Sequence, residues 1–394
     1  MERDEESLKD GQYHLIEDGP YSSVSRIWTT LEGQRDTPQW IVAKSATNRK
    51  SLAKEPHDIV KELRVLSSLN HENIVPVLSS FSDATARILT IYLPYIPHSL
   101  EKLLSSPSFS PYSLPRAGLP AVLNPAQESE MLVLAKSVAA QTLQALKYLH
   151  ALGISHRDLK PANILLTHEA HVVLIDFGVA RDAVGDCSDD MWPEAPDGLY
   201  FEVCTGPYRA PELLFGVRSY EPACVDLWSF GTILAEMFTT LRLDSESYSY
   251  DNGEAVPSAQ PDDQPFVVPG SVRVGQPETA WARDPLFNGY RGELALIWSI
   301  FKMRGTPTDE TWPGFTQLLG SSSVDFKVVP AVDLKTMLSN RPANADQLLH
   351  LLDMFLVYSP AQRMSAAEAL QHRWFSEQPC ANNDLGDVLT RLLV

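Results

Sequence analysis

Apolar residues recur with two different periods along this chain, and the change of period divides it. Up to about residue 96 the pattern is that of short strands. Ile41-Val42-Ala43 is a brief apolar run ending at Lys44, and RILTIYLPYI (Arg87 to Ile96) is a longer β-rich run. Between them, HDIVKELRVLSSLNH sets Ile59, Leu63, Leu66 and Leu69 at helical spacing, an amphipathic helix whose polar face presents Glu62. From Met131 the period is helical, with Val138, Leu143, Leu146 and Leu149 along one face and Gly153 as the expected C-cap. Cys224 to Phe238 is apolar on nearly every side and reads as a buried helix. Helical patterning resumes from Leu294 and runs to ALQHRWF. A Ser- and Pro-rich stretch after Leu104, and an acidic, Pro-rich one from about Leu243 to Trp281, lack apolar period. Both are expected to be surface insertions, with Ser106-Pro107 and Ser110-Pro111 in an exposed linker. No internal repeat is evident. The outline is α+β, a strand-rich N-lobe followed by a helix-rich C-lobe.

Composition narrows the class. The 394 residues are 44% apolar and 21% charged, which suits a soluble globular chain with a sizeable core. A formal net charge of −18 disfavours nonspecific nucleic-acid binding and repels an anionic membrane surface. Cys187, Cys204, Cys224 and Cys380 form no C-x-x-C pair, and they read as reduced thiols of an intracellular protein. The charged opening MERDEESLKDG lacks the apolar stretch of a signal peptide, and no apolar run reaches eighteen residues. The nucleus or cytoplasm is the expected location.

Three ordered stretches carry chemistry: HRDLKPANILL (His156 to Leu166), DFG (Asp176 to Gly178) and APE (Ala210 to Glu212). Their order and spacing resemble the eukaryotic protein kinases, from about Tyr13 to Phe375. The resemblance implies a bilobal protein kinase fold, with an N-lobe over 13–96 and a C-lobe over 97–375. An acidic segment (1–12) and a tail (376–394) would flank it, with surface insertions near 105–130, 183–199 and 243–281. ATP and Mg²⁺ are the implied cofactors, and the reaction requires a positioned hydroxyl, a proton acceptor and cations on the phosphate oxygens. By resemblance, Asp158 orients the hydroxyl and accepts its proton, and Lys160 steadies the γ-phosphate. Asn163 and Asp176 supply the hard oxygens that Mg²⁺ prefers. Lys44, paired with Glu62, holds the α- and β-phosphates, while Ile16, Gly19, Ser22, Val24 and Leu165 fall at nucleotide-binding positions.

Two departures qualify that picture. The family's glycine pattern falls on Glu17-Asp18-Gly19-Pro20-Tyr21-Ser22, so only Gly19 remains of three glycines that let backbone amides approach phosphates. Glu17 adds a like charge if it points inward. On the following strand Val42 stands where the family usually has alanine, with Ala43 beside Lys44, implying a tighter adenine pocket or a shifted register.

FKMRGTPTDETWPGF, YRAPELLFG and YSPAQRMSAAEALQHRWF resemble the cyclin-dependent kinase branch, with Arg363 placed to pair with Glu212 and Asp226 in a structural role. The position of the usual activating threonine is Tyr200, and Thr205 lies five residues on. Arg157 and Arg181 match two arginines that gather an activating phosphate, and Lys61 stands where a third would come. Acidic residues nearby (Asp186, Asp189, Asp190, Glu194, Asp197) could supply that charge permanently. The poor glycine loop, the missing threonine and the unusual PHDIVKELR helix together resemble the monomeric fungal kinases that activate cyclin-dependent kinases. That implies a cyclin-dependent kinase as protein substrate, no required cyclin, and a monomer. A cyclin-bound divergent member of the branch and a pseudokinase scaffold are the alternatives.

Overall fold

Alternation along the strand Gln39–Thr47 sends Ile41 and Ala43 to the buried face and Val42 and Lys44 to the cleft. The computed structural model describes residues 13–30, 37–113, 122–244, 280–289, 292–318, 326–342, 345–376 and 384–393. Segment 1–12, the middles of two expected insertions (114–121 and 245–279), tail residues 377–383 and Cys380 lie outside them. Five antiparallel strands build the first lobe: β1 (Tyr13–Asp18), β2 (Ser23–Thr29), β3 (Gln39–Thr47), β4 (Ser79–Asp83) and β5 (Ile88–Pro94). They pair in the order β1-β2-β3-β5-β4. Lys44 lies opposite Val24 on one side and Ile91 on the other, so the Lys44 strand keeps its register and Val42 itself faces the cleft.

Helix α1 (Ile59–Ser68) starts where Asp58 accepts hydrogen bonds from the amides of Val60 (2.9 Å) and Lys61 (3.0 Å). Its inward side carries Ile59, Val65 and Leu66 together with Glu62, which is buried rather than displayed on a polar face. The longest helix runs Pro125–Ala151, capped by Asn124, and so begins before Met131. Gly153 follows it at φ +72°, the left-handed conformation of a helix stop. The helix Pro222–Glu236 is buried from Val225 onward. At Gly231 a methyl group would come within 2.7 Å of Phe355 Cβ, so only glycine lets the helix Asp346–Phe355 approach this closely.

The stretch after Leu104 is not a surface insertion over its described part. Phe109 is fully buried, and Ser106 and Ser110 are buried beside it. Arg283, also buried, donates to the carbonyls of Leu104 (3.0 Å), Met237 (3.1 Å), Thr239 (2.9 Å) and Phe109. Its strand, Ala280–Arg283, pairs with Leu241–Asp244, so the two ends of the acidic insertion are tied together. The last described helix, Leu385–Leu392, buries Val388, Leu389 and Leu392, and its Arg391 pairs with Glu130 at 2.7 Å. Cys187, Cys204 and Cys224 are free thiols, and no described helix is long and apolar enough to cross a membrane.

Two outcomes follow for stability. Phe109→Ala is expected to cost ~3–5 kcal/mol in urea unfolding, because it empties a fully enclosed ring site. Burial pushes the Glu236 carboxyl up to about 7, against the opposing Tyr208 hydroxyl bond (2.8 Å) and the Arg283 charge. Between its ordinary value of 4.5 and about 7, the folded state holds a proton that the unfolded state has released. Stability therefore falls as pH rises through that window. Glu236→Gln should stabilise the fold at pH 8 by up to about 3 kcal/mol, and by less at pH 6, in unfolding measured at both.

Candidate active site

Between the lobes lies a cleft of 950 Å³, whose walls include Ile16, Gly19, Ser22, Val24, Lys44, Glu62, Asp158, Lys160, Asn163, Leu165 and Asp176. The sequence-predicted nucleotide, catalytic and metal positions thus converge on one cavity. Thr205, expected as regulatory, joins them.

Its floor is fixed by Asp226. That carboxylate accepts from the backbone amides of His156 (2.9 Å) and Arg157 (2.8 Å) and contacts His150 Nε2 (2.9 Å). Arg157 is held at φ +63°, turning the chain so that Asp158 enters the cleft. There Thr205 Oγ1 donates to Asp158 Oδ1 at 2.7 Å, while Lys160 Nζ lies 2.9 Å from Asp158 Oδ2 and 3.1 Å from Thr205 Oγ1. Burial would lower the Lys160 pKa, but the Asp158 charge and hydrogen bond, together with the Asp176 and Glu17 charges, outweigh it and raise the pKa. Asn163 Nδ2 donates to the Asp158 carbonyl at 2.8 Å and to its carboxylate at 3.3 Å. That leaves the Asn163 side-chain oxygen as the acceptor available to a cation.

On the opposite wall Lys44 Nζ sits 2.7 Å from Glu62 Oε2 and 2.8 Å from Asp176 Oδ1. Burial works against ionised Asp176, yet the adjacent Lys44 ammonium holds its carboxyl well below the usual range. Burial raises the Glu62 carboxyl, with Lys44 opposing. Asp176 is at φ +66°, and Phe177 is fully buried against His156, with ring centroids 4.8 Å apart. Ionised Asp176 and the Asn163 oxygen are hard donors, and they fit a Mg²⁺ ion. Glu17 also lines the cleft.

Arg157 reaches away from the cleft to one member of the acidic set. Its guanidinium forks onto Glu194 at 2.8 and 2.5 Å, donates to the Val179 carbonyl at 2.9 Å and meets the Tyr220 hydroxyl at 3.2 Å. Lys61 Nζ, buried, lies 3.9 Å from the same carboxylate. Burial favours the neutral Glu194 carboxyl, but the Arg157 hydrogen bonds and charge, with the Tyr200 amide and the Lys61 charge, together prevail and lower its pKa. Arg181 does not take part: its guanidinium turns back onto the carbonyl of Asp182, next to it in the chain. Tyr200 binds the cluster through its backbone, donating its amide to Glu194 at 2.9 Å, while its hydroxyl donates to Glu55.

The stretch 183–199, expected as a surface insertion, packs against α1. Met191, Asp190 and Leu199 are buried, and Trp192 donates its amide to Asp58 Oδ2 and its indole N–H to the His57 carbonyl, both at 3.2 Å. Arg64 was not singled out by sequence, though it lies on the expected helix. It pairs with Asp182 at 2.7 Å and Asp190 at 2.9 Å. Arg363 forks onto Glu212 at 2.6 and 2.7 Å in a buried pair.

A model described as the protein kinase domain matches residues 13–375. Cyclin-dependent kinase 7 of Carassius auratus is 32% identical over 86% of this chain and 72% of the relative. Cyclin-dependent kinase G-2 of Oryza sativa subsp. indica is 28% identical over 92% of this chain, which spans only 41% of that relative's length. A chain from the CAK complex of Chaetomium thermophilum bound to ATP-gamma-S aligns with a TM-score of 0.63 at 25% identity, over 94% of this chain and 93% of that one. The chain belongs to the protein kinase domain family. Within it, the chain is a member of the serine/threonine kinases of the cyclin-dependent kinase type.

Glu194→Gln would strip the counter-charge from buried Arg157 and Lys61. The expected cost is ~3–5 kcal/mol in unfolding, with a matching loss of ordered segment 183–199 in hydrogen exchange.

Proposed function

We propose that this chain transfers the γ-phosphate of ATP to serine or threonine hydroxyls of a protein, and that its substrate is a cyclin-dependent kinase. The observation that carries the transfer is the triangle of Asp158, Lys160 and Thr205, 2.7 to 3.1 Å on each side, facing the Lys44–Asp176 pair in one cleft.

In this reading the Asp158 carboxylate orients the acceptor hydroxyl and takes its proton, while Thr205 keeps one carboxylate oxygen aligned. Lys160 neutralises charge on the transferred group. Lys44 aligns the α- and β-phosphates, steadied by Glu62 on α1. Asn163 and Asp176 hold Mg²⁺, which when bound supplies positive charge to the phosphate oxygens. Val24, Val42 and Leu165 enclose the base.

Glu194 supports activity without an activating phosphate or a cyclin. Its carboxylate occupies the Arg157 fork, and the segment that carries it holds α1 through Arg64, Asp58 and the His57 carbonyl. When the active arrangement is already the major state, no modification is needed to select it. The cyclin-dependent kinase substrate is favoured by that self-sufficiency together with the likeness to the CAK complex chain.

Bacterially expressed, cyclin-free chain should therefore phosphorylate an unphosphorylated cyclin-dependent kinase on its activation-loop threonine in the presence of Mg²⁺ and ATP. Asp158→Asn should lower the rate by about 10²–10⁴-fold with the melting temperature little changed. A chain that stays inert until a cyclin is added would replace this reading with a cyclin-bound one. Asp158→Asn within tenfold of wild type would remove the assigned proton acceptor.

A further inference from the structure

The turn between β1 and β2 closes through the Gly19 amide on the Ser22 carbonyl at 3.1 Å. Gly19 is not among the positive-φ residues, and a Cβ there would make only ordinary contacts, 3.4 Å from Glu17 Oε1 and 3.5 Å from the Ser22 carbonyl. The turn therefore makes no use of glycine's conformational freedom, and Glu17, a residue of the cleft wall, adds a charge of the same sign as a phosphate. A nucleotide under this hairpin needs some other means of retention.

Tyr21, at the hairpin tip, supplies a contact of a different kind. Its ring stacks on the His57 imidazole with centroids 3.6 Å apart and planes at 26°, and Lys54 Nζ lies 5.0 Å from the Tyr21 ring centre. His57 is a fixed anchor. Its amide donates to the Lys54 carbonyl (3.0 Å), its carbonyl accepts from the Trp192 indole (3.2 Å), and the adjacent Asp58 amide donates to the Gly178 carbonyl (2.9 Å). The hairpin tip is thereby joined to the start of α1, to the segment 183–199 and to the turn that carries Asp176. Tyr21, Lys54, His57, Asp176 and Gly178 all line the same cleft.

We propose that Tyr21, stacked on His57, is a latch that holds the β1–β2 hairpin shut over the phosphate end of bound ATP, in place of the backbone approach that the missing glycines would have allowed. The proposal rests on the nucleotide-binding reading of the cleft. Release of the nucleotide requires the hairpin to lift, and lifting separates the two rings. The latch therefore acts on dissociation more than on association.

The test is stopped-flow release of a fluorescent N-methylanthraniloyl ATP with Mg²⁺ from the full chain. It compares wild type with Tyr21→Ala, Tyr21→Phe, His57→Ala and the double alanine variant, each checked for an unchanged melting transition. Tyr21→Ala and His57→Ala should each speed release on the order of fivefold, the scale of one aromatic pair. Tyr21→Phe should retain most of the wild-type rate, and the double variant should release no faster than the faster single. Equal release from wild type and Tyr21→Ala would overturn the latch, as would effects of the two alanines that multiply independently. A wild-type chain that binds no nucleotide overturns the latch and the kinase reading together. Unchanged release in a chain that does bind and turn over ATP overturns the latch alone.

Discussion

The Asp226 carboxylate, fully buried on the helix Pro222–Glu236, accepts the amides of His156 and Arg157 and so clamps the catalytic loop to the centre of the larger lobe. The clamp holds Arg157 in the left-handed region, a conformation that costs a side-chain-bearing residue roughly 1–2 kcal/mol. From that one distorted residue two functions diverge. The backbone continues to Asp158 in the cleft, and the guanidinium leaves in another direction to Glu194. Position in the cleft and order in segment 183–199 thus share a single support, and both depend on a helix that is not part of the cleft wall.

Charge balance explains how the lobes stay in register. Lys44, Lys61 and Arg157 are each largely enclosed, and a buried cation without a partner is unfavourable. Their carboxylates come from different parts of the chain: Glu62 from α1, Asp176 from the turn after the catalytic loop, Glu194 from the segment beyond it. Each neutralisation is therefore also a tertiary tether. Arg64 adds another, its partly exposed guanidinium reaching two buried carboxylates, Asp182 and Asp190.

The parts that were legible in the sequence are those in which chemistry is local. The HRDLKPAN and DFG stretches carry their residues within a few positions of one another, and the apolar run ending at Lys44 marked the strand that carries it. Contacts between remote segments leave no period to read. Trp192 on His57, Arg64 on Asp190 and Tyr21 on His57 join stretches that no spacing relates. Arg181 misled for the same reason, since its matching position says nothing of the neighbouring carbonyl it turns to. Ser and Pro content marked the stretch after Leu104 as surface, yet one aromatic ring, Phe109, with the buried Arg283 beneath its carbonyl, draws it into the core. Composition averages over a stretch; burial is decided by single residues.

A carboxylate in the Arg157 fork has a property that a phosphate there lacks: it cannot be hydrolysed away. Glu194 is written into the chain, so the Arg157 fork is filled without a covalent modification. On the function proposed above, control over such a cleft passes from reversible chemistry on the segment to synthesis, degradation and access to the substrate. On that same proposal its output would track how much of the protein is present, a dosage rather than a signal.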